Sequence, residues 1–314
     1  EYTILGDKMI YTITFNPSID YFVSLDNLTV GQLNRSAVEF FKAGGKGINV
    51  SQVLTNFGLN NIALGFVGGF TGKKLVDLLN ENNINNDMIF IENQNTRINV
   101  KISANNETEI NADGIFVDEK DVDNLIIKLK DIKFDDYVVI SGNISKKCSI
   151  NLYKYLVEKI KTLCNNIVVD CSGDLLKSVL KLEPFLVKPN LEELEQFANS
   201  ELKTDYDIKQ AMIKMQKCGA KNVLLSKGSD KAVFLRTDGL FYEKEPYKGK
   251  VVNTIGCGDS MVAGFIYEYI KTGDTKKAFN FSVAVSSASA FKTGLADKND
   301  LKKLDLDIWC IKYE

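Results

Sequence analysis

The sequence predicts an α/β fold of three layers, with a mostly parallel central sheet and a small β-sheet lid. Three observations carry this prediction. Short continuous apolar runs alternate with segments of helical periodicity along nearly the whole chain, which is how parallel strands covered by helices on both faces read. Two stretches, 20–26 (DYFVSLD) and 97–103 (RINVKIS), instead alternate at period two, as strands with one exposed face do. No linker or internal repeat interrupts the pattern, so residues 9–314 are read as one domain.

Taken in order, the run MIYTITF at 9–15 predicts a buried first strand. Residues 1–8 share no pattern with the rest of the chain, and they carry neither the cationic region nor the apolar core of a signal peptide. Met9 is therefore read as the natural start and 1–8 as an upstream extension. Segments 20–26, 37–41 and 97–103 predict a lid, built from about 20–42 and 95–112, lying over one edge of the sheet. A helix is expected over 48–57, stopped by Gly58, then a strand over 61–67 and a helix over 72–82 with Thr71 as N-cap. Strand 137–141, helix 149–163, strand 167–171, a short helix near 174–181, strand 185–188 and helix 191–198 come next. Helix 207–218, strand 222–226 and two helices, 258–271 and 275–291, close the series.

Composition excludes several function classes. With 39 basic against 41 acidic residues and a net charge of -2, no electrostatic footprint for nucleic acid exists. No apolar run approaches the roughly 18 residues needed to cross a bilayer, so neither nucleic acid nor membrane is expected as a partner. The chain has no histidine, which removes Ser-His and Cys-His nucleophiles and imidazole zinc sites. Proton transfer must then fall to carboxylate, lysine, tyrosine or cysteine. The six cysteines include no C-x-x-C pair and read as reduced thiols, which predicts a cytoplasmic location.

Three motifs bear on chemistry. In 253–265 (NTIGCGDSMVAGF), Gly256, Cys257 and Gly258 precede Asp259 at the start of a helix. Backbone N–H groups at a helix N-terminus form an anion site. Asp259 either caps that helix or takes a proton from a hydroxyl beside a bound phosphate. In 42–49 (KAGGKGIN), Gly44 and Gly45 allow close approach to the backbone, ahead of Lys46 and Asn49; glycine pairs are also ordinary turns. This is not a Walker A loop, because Lys46 is followed by Gly47, and GGFTGKK at 68–74 is one residue short. In 187–193 (VKPNLEE), Asn190 and Glu193 share one face of a helix's first turn. They suit either a hydrated Mg²⁺ or a capping box.

Together, TFNPSID at 14–20, AGGKGIN, VKPNLEE and NTIGCGDSMVAGF resemble, in order and spacing, the PfkB (ribokinase-like) carbohydrate kinases over essentially all of residues 9–304. LGFVGGFTG at 64–72, Lys46 and TRINVKI at 96–102 are most similar to the bacterial 1-phosphofructokinase branch. The resemblance implies a ribokinase-like fold, with Asp259 as catalytic base and Gly256, Cys257 and Gly258 as anion hole. It implies that Asp20, with Gly44, Gly45 and Asn49, binds sugar hydroxyls, and that Arg97, Lys46 and Arg35 lie near the sugar's existing phosphate. Lys188, Asn190, Ser226, Gly228 and Gly258 match nucleotide-binding positions, and Asn190 and Glu193 match an element that organises Mg²⁺ through water. Two of only three arginines, Arg35 and Arg97, fall in the sugar-phosphate region, where a rigid fork outperforms a point charge. Cys257 stands where alanine is usual, and Lys227 and Lys231 depart from the family's nucleotide loop.

The implied activity is ATP-dependent phosphorylation of fructose 1-phosphate at its 6-hydroxyl, giving fructose 1,6-bisphosphate. The alternatives are a tagatose-6-phosphate kinase or a 6-phosphofructokinase of the same family, and, more remotely, an inactive sugar-phosphate-binding protein. ATP and Mg²⁺ are the expected cofactors, a monovalent cation being left open. A homodimer through the lid is the expected assembly.

Overall fold

The structure, a computed structural model, describes residues 8–304 and the backbone of 311–313. Most of the segment read as an upstream extension, residues 1–7, lies outside the described residues; Lys8 ion-pairs with Asp135 at 3.1 Å.

The strands are β1 (Ile10–Thr14), β2 (Ser18–Ser24), β3 (Val38–Gly44), β4 (Asn61–Gly68), β5 (Ile89–Ile91), β6 (Arg97–Ser103) and β7 (Glu107–Ile110). They continue with β8 (Tyr137–Ser141), β9 (Asn166–Asp170), β10 (Leu186–Val187), β11 (Val223–Leu225), β12 (Ala232–Leu235), β13 (Phe241–Lys244) and β14 (Ile311–Tyr313). The helices are α1 (Lys46–Asn56), α2 (Gly69–Glu81), α3 (Glu119–Lys128), α4 (Ile150–Leu163), α5 (Gly173–Val179), α6 (Leu191–Ala198), α7 (Asp205–Lys217), α8 (Cys257–Thr272), α9 (Thr275–Ala290) and α10 (Lys298–Leu301).

Among the described residues, ten strands form the central sheet in the order β14-β13-β12-β11-β10-β9-β8-β1-β4-β5. Pairing is parallel from β11 to β5 and antiparallel from β11 to β14. The parallel strands are continuous apolar runs because both faces are covered. Every residue of β1 and β8 is buried. On one face α3, α4, α6 and α7 contribute Leu125, Ile160, Leu194 and Met212 to a single core. On the other, α1, α8 and α9 contribute Leu54, Phe265 and Val283, and α2 adds Leu75 and Leu79 to a smaller cluster holding Ile19 and Ile48. Burying each of these side chains contributes roughly 1.5–3 kcal/mol.

The lid is a separate four-stranded sheet in the order β3-β2-β6-β7. The expected helix at 72–82 starts three residues earlier. Gly68, not Thr71, is its N-cap, since the Thr71 hydroxyl donates to Thr96 O at 2.8 Å instead. The sequence reading does not anticipate α3, whose capping box joins Asp118 and Asp121, or the β12–β13 hairpin.

Candidate active site

The carboxyl ends of parallel strands, where open α/β sheets bind ligands, set the site. Thr14 of β1, Ser141 of β8 and Asp170 of β9 are register neighbours, and all three are buried. Lys188, just past β10, is 5% exposed and places its Nζ 3.5 Å from Asp170 Oδ1. Lys46, first residue of α1, reaches the same oxygen at 3.1 Å and Glu193 Oε1 at 3.6 Å. Burial alone would lower the Lys46 pKa, but Asp170 and Glu193 outweigh it and hold the pKa above the usual range. Burial likewise disfavours ionised Asp170, yet Lys188 and Lys46 keep it below the ordinary carboxylate range. Lys46 thus points to Asp170 and Glu193 and lines the larger of two clefts.

Asp259 is the third residue of α8 and is 6% exposed. No side chain caps this helix. Asp259 Oδ2 instead accepts from Asn49 Nδ2 of α1 at 2.7 Å. Burial, then the Asp170 carboxylate, push the Asp259 pKa up to about 6, against the pull of Asn49, Lys46 and Lys188. Gly256, the N-cap, has φ 79, a left-handed conformation that glycine adopts without strain. Gly258 and Asp259 lie in a first turn whose N–H groups have no intrahelical acceptor. Burial, then Asp259, push the Cys257 thiol up to about 11, which leaves it protonated and weakly nucleophilic at neutral pH.

Two clefts meet at the Asn49–Asp259 bond. The larger, about 1060 Å³, is lined by Lys46, Lys188, Asn190, Ser226, Gly228, Gly256, Cys257, Gly258 and Asp259, among others. Asn190 makes an isolated bridge to Ser226, bringing the start of α6 beside the 226–230 loop. Lys227 pairs with Asp230 at 2.7 Å, and Lys231 with Asp205 and Glu243 at 2.7 and 2.8 Å. These family departures therefore brace the loop. The smaller cleft, about 330 Å³, is lined by Asp20, Lys42, Asn49, Ile255 and Lys292, among others.

On the sugar side, a side chain at Gly44 would place its Cβ 2.5–2.6 Å from the Asp20 carboxyl atoms, and one at Gly45 would meet Thr14 Cγ2 at 2.7 Å. Arg97 donates from its two terminal nitrogens to Ala112 O and Asn16 O at 3.1 and 2.9 Å, and its buried Nε has no partner among the described residues. Arg97 lines neither cleft. Arg35 is exposed on the loop between β2 and β3 and lines neither cleft.

Asn190 and Glu193 form a reciprocal capping box, at 2.7 Å and 2.9 Å, the structural alternative left open by the sequence. Glu193 Oε1 remains directed at Lys46. Among the described residues no three His, Cys, Asp or Glu side chains gather to hold a metal. Glu193 and the unpartnered buried Asp170 Oδ2 are hard oxygen donors, and an ammonium already sits between the two carboxylates. That donor set fits Mg²⁺ held through water, the ion's usual habit. Asp170 is a site residue that the motifs do not reveal, although a carboxylate ending the apolar run IVVD is a signal for it.

A family model described as pfkB family carbohydrate kinase matches residues 5–302. The chain is 37% identical to the 1-phosphofructokinase of Borreliella burgdorferi, covering 94% of this chain and 96% of that one. It is 36% identical to that of Bacillus subtilis, at 94% and 97% coverage, and 33% identical to a D-tagatose-1-phosphate kinase of Bacillus licheniformis, at 93% and 96%. Among solved structures, phosphofructokinase-2 of Escherichia coli in complex with fructose-6-phosphate superposes with a TM-score of 0.87 at 26% identity, covering 95% and 98% of the two chains. A family model over residues 5–302 and relatives matched over 94% of the chain show that it belongs to the pfkB family of carbohydrate kinases.

Proposed function

We propose that the protein transfers the γ-phosphoryl group of ATP to the 6-hydroxyl of fructose 1-phosphate, giving fructose 1,6-bisphosphate. The observation that carries the mechanism is the Asn49–Asp259 hydrogen bond where the two clefts meet. A sugar in the smaller cleft, held by Asp20, presents its hydroxyl to Asp259. Asp259 takes the proton as the oxygen attacks phosphorus in line, and Asn49 fixes the orientation of its carboxylate. Gly256 turns the chain into the helix, Thr254 O holds the Cys257 N–H, and Gly258 with the rest of the first turn directs N–H groups at the transferring group, where most of the stabilisation is expected. Lys188 and Lys46 face the nucleotide phosphates, and Ser226 and Gly228 border the rest of the nucleotide. Mg²⁺, held through water by Asn190 and Glu193 with Asp170, would supply positive charge against the phosphate oxygens. Arg97, with its terminal nitrogens on Ala112 O and Asn16 O outside both clefts, contributes positive charge to the substrate's phosphate from a distance. With an Asp259 pKa of about 6, the base is mostly ionised at neutral pH, and activity falls as pH drops through that value.

ADP release measured with fructose 1-phosphate, fructose 6-phosphate, tagatose 1-phosphate and tagatose 6-phosphate tests the substrate. Fructose 1-phosphate is expected to lead by at least roughly tenfold in kcat/KM, about 1.4 kcal/mol of discrimination. A faster ketose phosphate would replace the assignment, and sugar binding without ADP release would make the protein a sensor.

Assembly through the lid is proposed on the lid face that carries Tyr21 and Phe41, whose Phe41 end borders the smaller cleft. Phe41, Tyr21, Val100 and Ile110 stand in one register row across all four lid strands. Phe41 is 47% and Ile110 59% exposed, an apolar row that a second subunit would cover. Light scattering at micromolar concentration should give twice the subunit mass; a fully active monomer would refute the dimer.

A further inference from the structure

Behind Asp20 lies a pair of residues to which the phosphoryl transfer gives no task. β2 and β6 run parallel, with Ser18 opposite Arg97 and Asp20 opposite Asn99. Asn99 is 6% exposed. Its Nδ2 donates to Asp20 Oδ1 at 3.0 Å and to Ser18 Oγ at 3.1 Å. Ser18 Oγ in turn donates to the same Asp20 oxygen at 2.8 Å. Gly44 closes the third side, since any Cβ there would collide with the carboxylate. One oxygen of Asp20 is thus held twice, and no hydrogen bond from a described residue reaches the other.

The cost of this arrangement is visible. Asn99 Oδ1 is buried with no partner among the described residues, and an unmade bond on a buried acceptor weighs against stability. Flipping the amide would not relieve it, because an acceptor would then face the Asp20 carboxylate. A polar side chain kept where an apolar one of similar size would satisfy the core better is expected where geometry serves binding.

We propose that Asn99 and Ser18 are positioning residues. They clamp Oδ1 of Asp20 so that Oδ2 faces the smaller cleft and accepts from ketose hydroxyls, and they set sugar-phosphate affinity through Asp20 alone. The proposal rests on the reading of Asp20 as the hydroxyl-binding carboxylate.

Asn99→Leu keeps side-chain size and removes the Asn99 arm of the clamp together with the orphaned acceptor, leaving the Ser18 arm on Asp20. Titration calorimetry with fructose 1-phosphate should show its dissociation constant rise roughly 10- to 100-fold, the scale of a misplaced binding group. The ATP KM should stay within about twofold, and the melting temperature should hold or rise. Ser18→Ala, which keeps the Asn99 arm, should weaken binding less. In an Asp20→Ala background, Asn99→Leu should add no further loss, which a purely structural role would not predict. If Asp20→Ala itself leaves sugar-phosphate affinity unchanged, the reading of Asp20 fails and the proposal with it. If Asp20→Ala weakens binding but Asn99→Leu and Ser18→Ala do not, only the clamp is overturned. A fall in melting temperature with unchanged sugar affinity in both variants would make the pair structural and overturn it equally.

Discussion

Lys188→Met is expected to cost ATP affinity, thermal stability and tolerance of acid together. The ammonium lies 3.5 Å from Asp170 Oδ1, and a Cβ at Gly258 would sit 3.2 Å from it, so it stands at the mouth of the α8 N-terminus. Losing a charge-assisted contact to phosphate should cost about 1.5–3 kcal/mol, or roughly 10- to 100-fold in the ATP KM. Removing one partner of a buried ion pair costs about 3–5 kcal/mol of stability; because Lys46 remains on Asp170, the lower end is expected. Lys188 also helps to hold down the Asp259 pKa, so its loss moves that value above 6. A base works deprotonated, so its activity is present above its pKa and lost as pH falls through it. The acid limb of kcat should therefore shift to higher pH. Steady-state kinetics across pH and scanning calorimetry check all three, and an unmoved acid limb with an unchanged ATP KM would detach Lys188 from the site.

How far the sequence alone reaches can be judged from particular residues. The strand 137–141 and the helix 191–198 emerge with the observed bounds, because continuous apolar runs and an Asn cap are local signals. The β12–β13 hairpin carries the turn pair Asp238-Gly239 between apolar runs, a signal masked by the dominant alternation of strand and helix. The α3 helix is hidden by charge: in EKDVDNLIIK only Val122 and Leu125 are buried. The site divides along the same line. Glycine pairs and the Asn190–Glu193 spacing are contiguous and readable. Asn49 as the partner of Asp259 and Asn99 as a partner of Asp20 are not, since they lie 210 and 79 residues away.

Lys46 shows the same limit from the other direction. Its motif neighbours Ala43 and Asn49 line the smaller cleft, and the family resemblance of the motif places Lys46 near the sugar's phosphate. On a helix, however, residues three apart share a face only approximately. Lys46, as the first helical residue, can instead turn across the sheet edge toward Asp170, whose buried charge draws it there. A buried carboxylate at a strand end decides the direction of a lysine whose motif lies more than a hundred residues away.

Asp259→Asn is expected to lower kcat by roughly 10²–10⁴-fold, the usual worth of a positioned general base, while ATP still binds. The chain offers no imidazole as substitute. Asn keeps the size and can still accept from Asn49, so the geometry at the junction of the clefts survives. Capping is not the role that is lost, because no side chain caps α8. The stability of the variant gives an independent reading. Folding raises the Asp259 pKa from 3.8 to about 6, so the folded state binds this proton more tightly than the unfolded chain. The stability contributed by the group is then full below pH about 4 and is lost as pH rises through about 6. Replacing the carboxylate removes that loss, so Asp259→Asn should be more stable than the parent above pH 6, by about 1–3 kcal/mol, with the gain fading toward pH 4. Calorimetry at pH 5 and pH 8 measures it. A base held ionised inside a buried, partly acidic site must weaken the fold that holds it, so a variant that is nearly inactive yet more stable at neutral pH is the result that a catalytic Asp259 requires. Retention of more than about a tenth of kcat with chemistry rate-limiting would remove the base from the mechanism.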